Sequence, residues 1–423
     1  MNPFRLIKKS LRRSLARGAL HLFLAMAFSK AVLALLYIGL ARFLGPELFG
    51  HIRVIGAGFR IAVVPAALGM PTAIAKYVAE YSSAREKENV YSHGISFSLL
   101  AASVTALAVF FILAFSNPIG DEVARRWLML LCWAIPLAVF TTGAVCYLQG
   151  QKLIKKMAFY QFLLVIFRVV LIGGLAFSLF IPGYALGILA TELIGAVILF
   201  RVTKPSFRLR WERGLISRMF RLGIFASLGL TFATLTLTID TLCLSAILQD
   251  PFQVGVYGAA ASLAMALLLL PEAILQTFFP YLSEQSRNRR LLRVSFFQLL
   301  QLVGGIMLII GGAVFLFAPA IVEAIFGREY LPAAFLLRVL IPGIFAYSLQ
   351  KVSGITLFAL GKTDLHFYAV LIACVADIVL NIIFIKRFGL VGAAWATSTT
   401  FVLRMVLSFG FLFLELRGPV RKC

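Results

Sequence analysis

Ten side chains in this sequence carry charge where their neighbours are apolar. Lys30, Arg60, Arg168, Glu192, Asp240, Glu272, Arg338, Lys351, Asp377 and Arg404 each lie inside a run long and apolar enough to cross a bilayer. An ionisable group at bilayer depth is costly, so it marks an internal ion pair or the path of a charged substrate. Six of the ten are cations and four are acids. An interior with surplus positive charge is a poor home for a cation. It suits a multiply charged anion such as a diphosphate, which Lys and Arg hold by charge-assisted hydrogen bonds.

The ten sort by position. Arg168 and Glu192 fall on consecutive helices, and Asp377 and Arg404 fall on the matching helices of the second half with signs exchanged. Each pair reads as structural neutralisation, with a place on the substrate path as the alternative. Arg338 is close enough to a helix end to snorkel. Lys30, Arg60 and Lys351 lie too deep for that and are the candidate substrate-binding residues. Asp240 and Glu272 are candidate ion-pair partners for Lys30 or Arg60, or acids that couple to an H+ or Na+ gradient. An opposite charge nearby would hold such an acid ionised.

The elements that must position these groups are transmembrane helices. Of 423 residues, 61% are hydrophobic and only 13% are charged, with mean hydropathy +0.97. Soluble chains carry about 25% charged residues. Apolar stretches predict twelve spans, near 19–41, 54–75, 91–116, 127–148, 157–181, 183–200, 222–247, 254–282, 294–318, 331–358, 366–385 and 390–414, each able to cross roughly 30 Å of hydrocarbon. No soluble domain fits between them. The net charge of +23 raises a nucleic-acid partner, but its placement argues against one. With the first segment cytoplasmic, 27 cations fall in inner segments and 7 in outer loops, Arg53, Lys386 and Arg387 among the latter. That bias predicts a multi-pass cell-membrane protein with both termini in the cytoplasm. Residues 1–18 form a basic cytoplasmic or interfacial segment rather than a cleaved signal peptide. None of the five cysteines has metal-ligand spacing, and no metal or cofactor is expected.

The second half repeats the first. Leu44-Gly45-Pro46-Glu47-Leu48-Phe49-Gly50 is echoed by Gln249-Asp250-Pro251-Phe252-Gln253-Val254-Gly255, and Tyr77-Val78-Ala79-Glu80 by Tyr281-Leu282-Ser283-Glu284. Ile135-Pro136 returns as Ile341-Pro342, and Gly183 with Ala190-Thr191 returns as Gly389 with Ala396-Thr397. Internal repeats in a polytopic chain are a recurring feature of transporters. Six spans per copy give two lobes of equal orientation, related by a pseudo-twofold along the membrane normal. The predicted division is an N-lobe over 19–200, a basic cytoplasmic linker over 201–221, a C-lobe over 222–416 and a tail over 417–423. Pro65 and Pro271 match, as do Pro136 and Pro342, which predicts shared kinks.

Particular residues resemble a known family. Phe28-Ser29-Lys30, followed by Ala41-Arg42-Phe43-Leu44-Gly45-Pro46-Glu47-Leu48-Phe49-Gly50, is similar to the opening of the Wzx-type polysaccharide flippases of the multidrug/oligosaccharidyl-lipid/polysaccharide exporter superfamily. Ala79-Glu80-Tyr81, Leu148-Gln149-Gly150-Gln151-Lys152 and Phe388-Gly389-Leu390-Val391-Gly392-Ala393-Ala394 fit as well. The resemblance implies an all-α, MATE-like carrier of about twelve helices that alternates between inward-open and outward-open forms. It also implies that the first, second, seventh and eighth helices line the cavity, and Lys30, Arg60, Asp240 and Glu272 are on those helices. In the related peptidoglycan-precursor flippases a cation at the position of Lys30 contacts the diphosphate. Those proteins carry a second cation where this chain has Leu36, and two further C-terminal helices, so the resemblance favours a surface-glycan substrate.

The expected function is transfer of a polyprenyl-diphosphate-linked oligosaccharide from the cytoplasmic to the outer leaflet. Its partners are that lipid-linked oligosaccharide, membrane lipids and a coupling ion. No Walker A sequence is present, so no ATP site is expected. A cation-coupled multidrug antiporter is one competing class, and Lys30 has the wrong sign for its cavity. An integral-membrane enzyme of glycan assembly is another. The longest outer loop, 116–126, is short for it, and His51 has no obvious catalytic partner in the sequence.

Overall fold

The computed structural model describes residues 19–207, 212–286 and 288–417, with side chains from Ser29 to Leu416 except that of Lys30. The interfacial segment 1–18, linker residues 208–211 and the tail 418–423 lie outside the described residues. The described chain is nearly all helix: α1 (Ala19–Ala66), α2 (Met70–Glu80), α3 (Ala84–Phe115), α4 (Glu122–Leu131), α5 (Ala134–Gly150), α6 (Ile154–Thr203), α7 (Arg213–Thr236), α8 (Ile239–Leu248), α9 (Pro251–Ala266), α10 (Leu269–Gln285), α11 (Arg289–Phe326), α12 (Pro332–Ala359) and α13 (Thr363–Arg417). Among the described residues eight helices are long and apolar enough to span a membrane, or nine if the bent pair α4–α5 is one span. Phe115, Leu308, Ile309, Leu316 and Phe317 are more than half exposed. Apolar surface on that scale is tolerated where the surroundings are lipid. This is an all-α, multi-pass membrane protein.

Three long helices are broken by one residue each. Gly45 (φ +74°) divides α1, Phe180 (φ +58°) divides α6 and Gly389 (φ +58°) divides α13. Phe180 is unusual, because a bulky residue at positive φ is strained. Pro182 follows it. The arms of α6 then fold back on each other. A Cβ on Gly187 would stand 2.7 Å from Ile172 Cα, and one on Gly183 would overlap the Leu175 carbonyl. Gly392 approaches the Phe384 carbonyl in the same way across the Gly389 turn. Both helices are therefore hairpins whose register is set by the residue at the bend.

The matched prolines behave unequally. A proline ring clashes with the carbonyl four residues before it. That position is Cys132 for Pro136 and Leu267 for Pro271, and the helix is interrupted at each. The chain bends by 53° between α4 and α5. Pro65 lies in the last turn of the α1 segment, and Leu68 N–H donates to its carbonyl. Pro342 departs from the expected pattern, since α12 runs unbroken through it.

The chain packs as two compact units. One is Leu35–Gly255. The other is Val256–Cys423 with Met1–Ala34, of which the first 18 residues are outside the described set. Thus α7 and α8, which follow the linker, belong with residues 35–200, with α7 packed against α2 and α3. Within the first unit the two repeat motifs meet face to face. A Cβ on Gly50 would stand 1.9 Å from the Pro251 carbonyl oxygen, and one on Gly255 would stand 1.8 Å from that of Pro46. The contact is reciprocal, and only glycine permits it at either site.

Candidate functional site

In the unit Leu35–Gly255 the charge chemistry gathers on α1 beyond its break. Gly45 ends the first segment and Pro46 opens the next, a favoured role for proline at a helix start. Arg53 and Arg60 follow seven residues apart, two turns at about 3.6 residues per turn, and so share a face. Arg53 is half-buried and Arg60 is exposed. Arg53 lies within electrostatic reach of Arg60, Asp240, Tyr37 and Tyr184. The Tyr37 and Tyr184 hydroxyls are 3.1 Å apart. Gly56 makes room for the second, since a Cβ there would stand 2.7 Å from it.

Asp240 is placed by a helix break. Thr234, Thr236 and Thr238 turn their hydroxyls back on the carbonyls of Leu230, Phe232 and Thr234. The chain restarts as α8 with Asp240 in its first turn, where the helix dipole favours an acid. The carboxylate is 6% exposed and accepts from Thr241 N–H at 2.7 Å. Arg53 thus lies between Asp240 and Arg60, and both guanidinium groups act on Tyr184. Such a group can hold an anion at more than one oxygen.

Arg53 corrects the sequence reading, which counted it among outer-loop cations. The apolar window opens at residue 54, and that hid the start of the helix at Pro46. The seven-residue spacing to Arg60 was the available signal.

A second cluster lies in the unit that holds Val256–Cys423. Lys351 Nζ donates to Glu272 Oε1 at 2.8 Å, linking α12 to the first turn of α10. The sequence offered Lys30 or Arg60 as partners for Glu272, whereas Lys351 occupies it here. The ammonium also lies 4.7 Å above the Tyr347 ring, and the Arg404 guanidinium lies 5.1 Å above the same ring. Tyr347 stacks on Phe401 with centroids 4.4 Å apart. Two cations thus share one aromatic ring. Arg404 is 5% exposed, and its Nε and Nη1 have no hydrogen-bond partner in the structure.

Hairpin register decides the remaining pairs. Arg168 and Glu192 each stand twelve residues from Phe180, so they meet across the α6 hairpin, with Arg168 Nη2 donating to Glu192 Oε1 at 2.7 Å. Asp377 stands twelve residues before Gly389, but Arg404 stands fifteen after it. Asp377 therefore meets Thr400, whose hydroxyl donates to Oδ1 at 2.9 Å, and Asn381, whose amide donates to the same oxygen at 3.1 Å. Arg404 is one turn further along and takes Tyr347 instead. Arg338 donates to the carbonyls of Phe315 and Leu316, which lie inside α11. The side chain of Lys30 lies outside the described residues.

His51 has a partner that the sequence did not reveal. Its Nδ1 is 2.6 Å from Asp121 Oδ2, and both residues are buried. Asp121 also caps α4 by accepting from Ala124 N–H at 2.9 Å. With Ser245 Oγ donating to the Ile119 carbonyl at 2.7 Å, the loop before α4 is tied to α1 and α8. The pair is a structural tie with no nucleophile in hydrogen-bond reach among the described contacts.

A polytopic bundle of broken helices with ion-bearing side chains at bilayer depth is the architecture of a transporter. The fold is that of a multidrug resistance MATE family transporter of the MOP superfamily in an inward-facing conformation, at TM-score 0.77 with 15% identity over 91% of this chain and 94% of that one. It is equally that of the lipid II flippase MurJ in an inward closed conformation, at TM-score 0.79 with 16% identity over 94% of this chain and 90% of that one. The chain belongs to the polysaccharide biosynthesis protein family, whose model matches residues 15–286. It is 26% identical over 410 residues to the "Probable low-salt glycan biosynthesis flippase Agl15" of Haloferax volcanii, covering 94% of this chain and 83% of that one.

Proposed function

We propose that this protein flips a polyprenyl-diphosphate-linked oligosaccharide from the cytoplasmic to the outer leaflet of the cell membrane. The observation that carries the reading is the Arg53–Arg60 pair on one face of α1, two cations inside an apolar span with Asp240 near the first alone. An isolated charge moved from water into hydrocarbon costs tens of kcal/mol. Fixed guanidinium groups in a hydrated cavity offset that cost for a diphosphate, while its apolar tail stays in lipid. Lys30, Arg60 and Lys351 are the proposed substrate ligands from the sequence, and Arg53 joins them. Arg404, with Nε and Nη1 unpartnered, is a further candidate. Asp240 and Glu272 are the proposed acids for H+ or Na+ coupling, each beside a cation that would respond to their protonation.

The same proposal covers topology. Division at Gly45, Phe180 and Gly389, with α1 and α2, α4 and α5, α7 and α8, and α9 and α10 each joined as one bent span, yields twelve spans and both termini in the cytoplasm. The reciprocal contact of residues 46–50 with 251–255 supports two six-helix copies related by a pseudo-twofold. Deletion of the gene tests the function. Lipid-linked oligosaccharide should accumulate on the cytoplasmic leaflet. Absence of accumulation, with altered drug sensitivity in its place, would favour the antiporter class.

A further inference from the structure

Lys386 and Arg387 are adjacent exposed cations on the side that the charge bias leaves poor in cations. No acid occurs on α13 between Asp377 and Glu415, and among the described residues neither cation makes an ion pair. The same end of α13 carries a cavity of about 420 Å³ lined by Phe384, Phe388, Val391 and Trp395, with Arg387 toward its face and Lys386 reaching from the flank. We propose that this end of α13 binds an anionic membrane lipid, with its phosphate on Arg387 and Lys386 and one hydrocarbon chain in the cavity.

The geometry suits that occupant. Phe384 and Phe388 meet edge to face with centroids 6.0 Å apart. Arg387 is three residues beyond Phe384 and so lies on the neighbouring stripe of the same face. Gly389 reverses the chain, and the approach of Gly392 to the Phe384 carbonyl pins the two arms together. The cavity walls are therefore rings on a fixed hairpin rather than parts of a loose loop. Trp395 is six residues past the bend, so the slot runs roughly 9 Å from the turn into the apolar layer. Its volume is within the usual range for a ligand pocket, about 300–1,000 Å³. A soluble anion would use the cations and leave the apolar walls bare. A neutral lipid would use the walls and leave both cations unanswered. The anionic lipid answers both, and each cation should enrich it by about fivefold over a neutral lipid.

Trp395 supplies the readout. The chain carrying Trp127→Phe, Trp133→Phe and Trp211→Phe is reconstituted in phosphatidylcholine with a minor fraction of phosphatidylglycerol brominated in its chains. The control uses the same fraction of brominated phosphatidylcholine. Brominated phosphatidylglycerol should quench Trp395 more strongly, and Lys386→Gln with Arg387→Gln should remove the excess while leaving quenching by phosphatidylcholine unchanged. Equal quenching by the two lipids, or an excess that survives the double substitution, overturns the proposal. Should the triple replacement fail to insert, the difference between the native chain and Trp395→Phe reads the same signal. The outcome is independent of whether the protein flips a glycan.

Discussion

The contact between the repeat motifs lends itself to a direct test. A Cβ added at Gly50 would stand 1.9 Å from the Pro251 carbonyl oxygen, where real Cβ atoms essentially never come within 3.0 Å. Gly50→Ala must therefore part the two segments by about 1 Å, the difference between those distances. Both sides are helix backbone, so no side chain can rotate away. Overpacking of this kind costs about 1–3 kcal/mol. In a carrier that alternates between two forms, as the family resemblance implies, a penalty confined to the state that makes the contact shifts the balance about 5–150-fold toward the other. Val254 is 1% exposed beside the contact and can report the shift. In a cysteine-free background with Val254→Cys, labelling by a membrane-impermeant maleimide should accelerate by a factor in that range when Gly50→Ala is added. An unchanged rate in a normally inserted protein refutes the idea that this contact closes a path.

Three further outcomes follow from the charge geometry. Arg53→Ala and Arg60→Ala should each abolish complementation of a deletion strain at normal membrane abundance, and full complementation by both would sink the cationic-site reading. Lys351→Met alone should lower thermal stability by up to about 3 kcal/mol, the low end for a broken buried pair, because its side chain keeps 23% of its surface open. Adding Glu272→Gln should recover most of that loss in a melting assay. For the α6 pair the order of damage is set by burial, since Glu192 is 5% exposed and Arg168 is 43% exposed. Arg168→Leu strands a buried acid and should reduce folded protein in detergent more than Glu192→Leu. The reverse order would show that the pair is not the source of the effect.

Much of this architecture was legible because lipid imposes simple rules. Long apolar runs must be helical, so the all-α membrane class could be read from hydropathy alone. The Arg168–Glu192 contact was legible too, as both residues flank the turn at Phe180 at equal distance. Asp377 and Arg404 looked similar but are offset from Gly389 by three residues, nearly one helical turn. Counting from the bend, rather than from one helix to the next, separates the two cases. Arg53 was missed because a hydropathy window blurs a helix start that Pro46 marks sharply. The His51–Asp121 and Glu272–Lys351 contacts span 70 and 79 residues. No local pattern encodes such pairs, since they depend on which helices become neighbours.

The contact of Gly50 with Pro251 and of Gly255 with Pro46 has the form of an isologous interface, in which patch A meets patch B and B meets A. That is how two identical subunits associate about a twofold axis, here enclosed within one polypeptide. In the two-copy arrangement proposed above, the crossing of these two glycine-proline turns is where the copies meet. A dimer would have to carry Arg53 and Arg60 twice, whereas this chain carries them once, opposite an acid from the other copy. One polypeptide carrying the two proposed copies can shape the two sides of a binding site differently.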